Sequence, residues 1–406
     1  MAQAPPSRAS RRTEASGTSS AGVQLALATV GFAVNFWAWA LISPLGKAYG
    51  VEYALTDLQQ SVLVAVPVLV GSVGRVPVGA LTDRFGARTM FPLVSALTII
   101  PVLFVGLVAD SYAALIVGGF LLGLGGTTFA IGVPFVNAWF APERRGTALG
   151  IFGVGMGGTA ISSFTTVPLA DAFGRWAPFV LVAAILAVFA VASWFLLHDA
   201  PGRTSGAAGG MLARTWSILK LPATLQLSWL YAVGFGGFVA FSVYLPTFLA
   251  NAYDLEAADA ATRTAGFVVL AVVMRPVGGM LSDRLGPVNV SVWCFAAVTL
   301  LAAVVAFKPG LVPVGTIAFL GLAAALGASS GATFALVAKV APADKVGGVT
   351  GVVGAAGGLG GFVPPLVMGA VYQLNGDYGV GFALLAATGL ATLLFTLGPV
   401  RRGARG

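Results

Sequence analysis

The sequence predicts an all-α membrane protein of twelve transmembrane helices, arranged as two pseudo-symmetric six-helix halves. Three observations carry that prediction. Hydrophobic residues fill 58% of the 406 positions and charged residues only 9%, against about 25% charged in soluble domains. So much apolar surface needs an apolar solvent, which a bilayer supplies. Apolar runs of the roughly 20 residues that cross the hydrocarbon core recur twelve times, and the second half of the chain repeats the first.

Residues 1–21 are polar and rich in Ser, Ala, Pro and Arg, and read as a disordered tail. The apolar run behind them is too long for the core of a signal peptide. The first half, 22–198, holds candidate spans at 22–46, 58–82, 88–109, 111–138, 146–169 and 177–198. A polar linker, 199–221, contains GRTSGAAGG. The second half, 222–400, holds spans at 222–250, 263–282, 288–307, 312–338, 347–373 and 378–399, before the short tail 401–406. Glycine, at 55 residues without a G-X-Y period, reads as close helix packing within apolar segments.

The basic residues set the topology. With the N-terminus inside, the inner segments collect Arg8, Arg11, Arg12, Arg84, Arg88, Arg144, Arg145, Arg284, Lys339, Arg401 and Arg402, among others. The outer segments hold only Lys47, Arg175, Arg263 and Lys308. Both termini and the linker are therefore expected in the cytoplasm, with the chain in the cell's inner membrane. The net charge of +8 follows from this topology, and no nucleic-acid partner is expected.

The repeat is legible residue by residue. Arg75 to Gly86, RVPVGALTDRFG, matches Arg275 to Gly286, RPVGGMLSDRLG, at an offset of 200. Ala141-Pro142 matches Ala341-Pro342, GTTFA at 126–130 matches GATFA at 331–335, and VGF at 30–32 matches VGF at 233–235. Gly146, Gly150, Gly153 and Gly157 match Gly347, Gly351, Gly354 and Gly358. Two halves of like orientation imply an axis along the membrane normal and a substrate site near the midplane between them.

Arg75 and Arg275 are the basic residues inside spans. Arg75 lies eight residues before Asp83, roughly 12 Å along a helix. Burying an arginine there costs about 2.5–3.5 kcal/mol even on a lenient scale, and guanidinium cannot shed its proton. None of the fourteen acids falls in a span centre, so the missing counter-ion is read as a substrate anion. The planar fork suits a planar oxyanion. The bland reading is snorkelling or bonding to carbonyls freed near Pro77 and Pro276. Two arginines at equivalent positions, with no acid in reach, weigh against it.

The loop Gly79 to Arg88, GALTDRFGAR, resembles the signature loop of the major facilitator superfamily, and Gly279 to Gly286 is its degenerate second copy. The resemblance covers all twelve spans and implies the fold of that superfamily. A narrower resemblance is to its nitrate/nitrite porter family, whose members bind the anion with one arginine in span two and one in span eight. It implies that role for Arg75 and Arg275, and wall positions for Tyr231 and Phe235. It also implies nitrate-signature segments at 150–164 and 351–369, with Gly153, Gly155, Met156, Gly354, Gly357 and Gly358 at the site. Met156 stands where many members have asparagine, unless the register is shifted. Asp83, Arg84, Asp283 and Arg284 are expected to gate.

One His198 and one Cys294 permit neither a catalytic triad nor a zinc site. The glycine runs lack the Lys-Ser/Thr of a P-loop, so transport must be secondary. No enzyme activity, metal or cofactor is expected. The expected function is nitrate and nitrite transport by alternating access, as exchange, in a protein working as a monomer. Proton symport, or another small monovalent anion such as cyanate or a small carboxylate, stays open.

Overall fold

The computed structural model of the protein describes residues 8–201, 218–341 and 346–404. Most of the expected linker lies outside the described residues. Among those described, every regular element is helical, and twelve helices are long and apolar enough to cross a membrane. They are spans one (Ala21–Glu52), two (Asp57–Phe85), three (Ala87–Leu107), four (Tyr112–Trp139), five (Ala148–Phe173) and six (Ala177–Leu196). The second half has spans seven (Pro222–Ala252), eight (Ala257–Leu285), nine (Pro287–Ala306), ten (Leu311–Val340), eleven (Val349–Asn375) and twelve (Gly379–Gly403).

Three boundaries move most from expectation, the first being the end of span one, which runs on to Glu52 rather than stopping near residue 46. The first helix starts at Arg8 and runs to Trp39, so the segment read as a disordered tail carries helix from Arg8; Ala, Arg and Glu are strong helix formers. Span eight starts at Ala257 rather than near residue 263, because the polar first turns are helical and Asp259 pairs with Arg263 one turn on at 3.0 Å. Such polar turns do not register as apolar although they extend the same helix.

The repeat is also geometric. Gly86 and Gly286 end spans two and eight with φ of 86° and 85°, a left-handed conformation that a glycine adopts without strain. It lets the chain turn sharply into spans three and nine after the two Asp-Arg pairs. Several helices are interrupted halfway. Span two is interrupted at Gly74. Span four carries a 3-10 segment at Gly123–Thr127 and span five one at Val154–Gly157. Irregular backbone at membrane depth occurs where protein or a cavity covers it, and these breaks fall at one level of the bundle.

The halves close on each other at the end remote from the termini. Ser43 Oγ donates to the Val243 carbonyl at 2.6 Å, Lys47 Nζ to the Ala250 carbonyl at 3.0 Å, and the Leu58 N–H to Gln373 Oε1 at 3.2 Å. Ser61 packs so closely on Gly369 that any Cβ there would overlap its hydroxyl. Toward the termini, Gly150 and Gly351 have no atom within 4 Å of where a Cβ would stand.

A candidate anion site between the halves

Arg75 opens the lower segment of span two, straight after the interruption at Gly74. Pro77 has no N–H to offer the preceding turn, and neither has Pro276 beside Arg275. Arg75 is 8% exposed. Its Nη1 donates to the Gly354 carbonyl at 2.8 Å, its Nε to the Gly126 carbonyl at 3.4 Å, and its guanidinium lies 5.0 Å over the Phe129 ring. Gly126 belongs to the 3-10 break of span four, where carbonyls are poorly used by the helix itself. Gly354 is reachable because residue 358, one turn on, is glycine: a Cβ there would sit 3.3 Å from Arg75 Nη1 and overlap the Ser72 hydroxyl.

Arg275 is half-buried. Its Nη2 donates to Tyr231 Oη at 2.7 Å and its Nη1 to Met156 Sδ at 3.0 Å. Three rings surround it, with Phe334 at 5.4 Å, Phe235 at 5.5 Å and Tyr231 at 5.8 Å. Tyr231 and Phe235 stack on each other with centroids 4.8 Å apart and planes 4° from parallel.

The two arginines behave alike across the axis. Arg75 of the first half reaches the glycine-rich segment of span eleven, and Arg275 of the second half reaches that of span five. Every acceptor named is neutral: two carbonyls, a phenol and a thioether. Among the described residues neither arginine has a carboxylate partner; ion pairs such as Arg175–Glu52, Arg263–Asp259 and Lys308–Asp377 lie near span ends. A guanidinium has five N–H donors. Each arginine spends two on these bonds, which leaves three apiece in a pocket of aromatic rings. That arrangement leaves N–H donors that an acceptor such as an anion can take.

The structure places the other expected residues unevenly. Met156, Gly354, Gly357 and Gly358 lie against the arginines or their rings. Gly153 is buried, yet no atom lies within 4 Å of where its Cβ would be. Gly155 points elsewhere: a Cβ there would meet Phe32 and the Thr29 carbonyl of span one, so it serves packing inside the first half. Asp83, Arg84, Asp283 and Arg284 are exposed at the terminus-bearing end, away from the arginines. Sequence reasoning missed Phe129 and Phe334, the rings under the two guanidiniums. Their signal was present, since both stand at the same place in the GTTFA and GATFA repeats.

Comparison with known proteins agrees with this architecture. A model described as Major Facilitator Superfamily matches residues 28–365 and 249–405. The Mycobacterium tuberculosis protein named "Probable nitrate/nitrite transporter NarK2" is 48% identical over 375 residues, covering 92% of this chain and 95% of the relative. The Bacillus subtilis "Nitrite extrusion protein" is 36% identical, with 92% and 93% covered, and the Staphylococcus epidermidis "Probable nitrate transporter NarT" 34% identical, with 91% and 94% covered. Among solved structures, a bacterial homolog of the human lysosomal transporter Spinster, inward-facing and occupied, superposes with a TM-score of 0.67 at 18% identity, covering 92% of this chain and 94% of that one. That likeness speaks for the fold alone. Fold, family model and relatives agree: the chain belongs to the Major Facilitator Superfamily.

Proposed function

We propose that the chain is a secondary transporter of nitrate and nitrite that binds the anion between Arg75 and Arg275 and works by exchange. The observation that carries the reading is the pair of guanidiniums at the centre of the bundle, bonded only to neutral acceptors and each with donors to spare. The names of the relatives add the anion: they are nitrate and nitrite transporters. In this reading the terminus-bearing end faces the cytoplasm, the membrane is the inner membrane, and the monomer is the working unit.

Exchange follows from charge. An empty site crosses a closed, apolar midplane with two uncompensated positive charges, whereas a monoanion neutralises one. The loaded carrier therefore reorients faster than the empty one. A symporter avoids this with an acid that protonates as the anion binds, and no span centre contains one.

The test is counterflow in proteoliposomes at clamped potential. Internal nitrite is expected to accelerate uptake of external nitrate severalfold over buffer-loaded vesicles, with no response to an imposed proton gradient. Accumulation of nitrate in buffer-loaded vesicles under an inward proton gradient, abolished by a protonophore, would refute exchange. Failure of either anion to bind or move would refute the substrate assignment itself.

A further inference from the structure

The two halves differ at one matching place on the terminus-bearing end. In the first half the chain seals itself there. After span six it folds back across spans one and four. Gln24 Nε2 donates to the Leu196 carbonyl at 3.1 Å, Gln24 Oε1 accepts from the His198 N–H at 3.0 Å, and Trp139 Nε1 donates to the His198 carbonyl at 3.0 Å. Leu197 is thereby fully buried, at 0% exposure.

In the second half the end of span twelve packs on spans seven and ten instead, leaving a cavity whose lining includes Leu227, Leu336 and Val400 at only 1–3% exposure. Gln226, seven residues before the second VGF where Gln24 stands six before the first, lines this cavity of about 230 Å³ between spans seven, ten and twelve. Ala223, Leu227, Leu336, Val340 and Val400 supply apolar walls. Lys339 stands where the repeat puts Trp139, so a cation replaces the ring that closes the first half. Lys220, Arg401 and Arg402 adjoin the lining residues at the ends of spans seven and twelve. Lys220, Lys339 and Arg402 are exposed, while Arg401 donates to Asn289 Oδ1 at 2.7 Å.

We infer that this cleft binds an anionic phospholipid, with an acyl chain against the apolar walls and the headgroup phosphate on Lys339 and Arg402. Basic pockets between helices at a membrane surface suit anionic headgroups. The chain's own segments are poor candidates for the same place. Residues 201–222 contain Arg203 and Arg214 and no acid, and the last six residues, RRGARG, are basic too. The acids of this end in the second half are Asp283, closing span eight, and Asp344, outside the described residues. The inference stands apart from the anion site and does not depend on what is transported.

The test uses the purified full-length protein, delipidated in neutral detergent, with native mass spectrometry and thermal melting as readouts. Phosphatidylglycerol is expected to bind saturably and raise the melting temperature above the effect of phosphatidylcholine, whereas sn-glycerol 3-phosphate alone gives no shift. Lys339→Gln and Arg402→Gln, both at exposed positions, should each weaken phosphatidylglycerol binding about fivefold, the ratio that corresponds to ~1 kcal/mol per basic residue. Val340→Phe, which fills the cleft, should abolish the preference for phosphatidylglycerol with the fold retained. Equal binding of the two lipids, or an undiminished preference in both charge variants, overturns the inference. A shift by glycerol phosphate alone makes it a phosphate site rather than a lipid site. A rise in lipid affinity on deleting linker residues 204–212 makes the linker the occupant, and either result also overturns it.

Discussion

Replacing Gly357 by alanine tests the site through a single methyl group. The added Cβ would overlap the Tyr231 ring and lie 2.9 Å from Phe235 Cδ1. Neither ring can accept the methyl without moving and disturbing its neighbours: Tyr231 is 0% and Phe235 1% exposed, and they stack at 4.8 Å. Overpacking of a core costs about 1–3 kcal/mol, and the cheapest relief is to swing Tyr231 away from span eleven. That movement breaks the 2.7 Å bond from Arg275 Nη2 to Tyr231 Oη. A hydrogen bond to a charged group contributes about 1.5–3 kcal/mol, so losing this one misplaces Arg275 and should weaken anion binding roughly tenfold to a hundredfold. The assay is titration calorimetry with nitrate on detergent-purified protein, with thermal melting to confirm the fold. Gly150→Ala and Gly351→Ala are the controls, because nothing lies within 4 Å of either added Cβ; both should bind within about twofold of wild type. Gly357→Ala protein that is folded and binds nitrate as wild type does would refute the reasoning. So would equal losses in all three variants.

Three further outcomes are expected. Arg75→Lys and Arg275→Lys should each lose nitrate uptake by about a hundredfold while melting near wild type, because lysine keeps the charge but not the two-pronged donor geometry; proteoliposome uptake reads this, and normal rates in either variant would remove that arginine from the anion. If Asp83, exposed at the terminus-bearing end, acts on the exchange between access states, Asp83→Asn should slow uptake about tenfold and leave nitrate affinity within twofold; a large loss of equilibrium affinity contradicts it. Lys47→Met removes the charged hydrogen bond to the Ala250 carbonyl across the remote end, worth about 1.5 kcal/mol at the low end of its range, and should shift the population about tenfold toward remote-end-open forms. Distances between spin labels at Val51 and Glu256 would report it, and an unchanged distribution would show that Lys47 is not part of the closure.

How far the residues alone reach can be seen at Arg75. Its depth and the lack of an acid in any span centre follow from counting along the chain, because a helix converts sequence separation into distance and a bilayer penalises charge. Its acceptors could not be counted out. The Gly126 and Gly354 carbonyls are 51 and 279 residues away, and backbone groups leave no mark in the alphabet of side chains. Phe129 shows the same limit from the other side. It sat inside a repeat that was read as proof of duplication, and only the packing of span four on span two set its ring under a guanidinium. Gly155 was drawn to the site by its neighbours in a glycine-rich run, whereas helical rotation turned it onto Phe32 of span one.

The sequence by itself determined what is local or periodic: twelve apolar segments, the duplication, the two embedded arginines and the glycine turns after the Asp-Arg pairs. Each of these follows from hydropathy, spacing or the φ that a residue permits. Tertiary structure alone decided which end of the bundle is sealed, through Ser43, Lys47 and Leu58 bonding across the halves. It alone decided that each arginine reaches the opposite half, and that a cavity forms beside Gln226 between spans seven, ten and twelve. These depend on how the two six-helix halves lean on each other. A carrier must populate more than one such arrangement with the same residues, so the pattern of residues does not by itself select one.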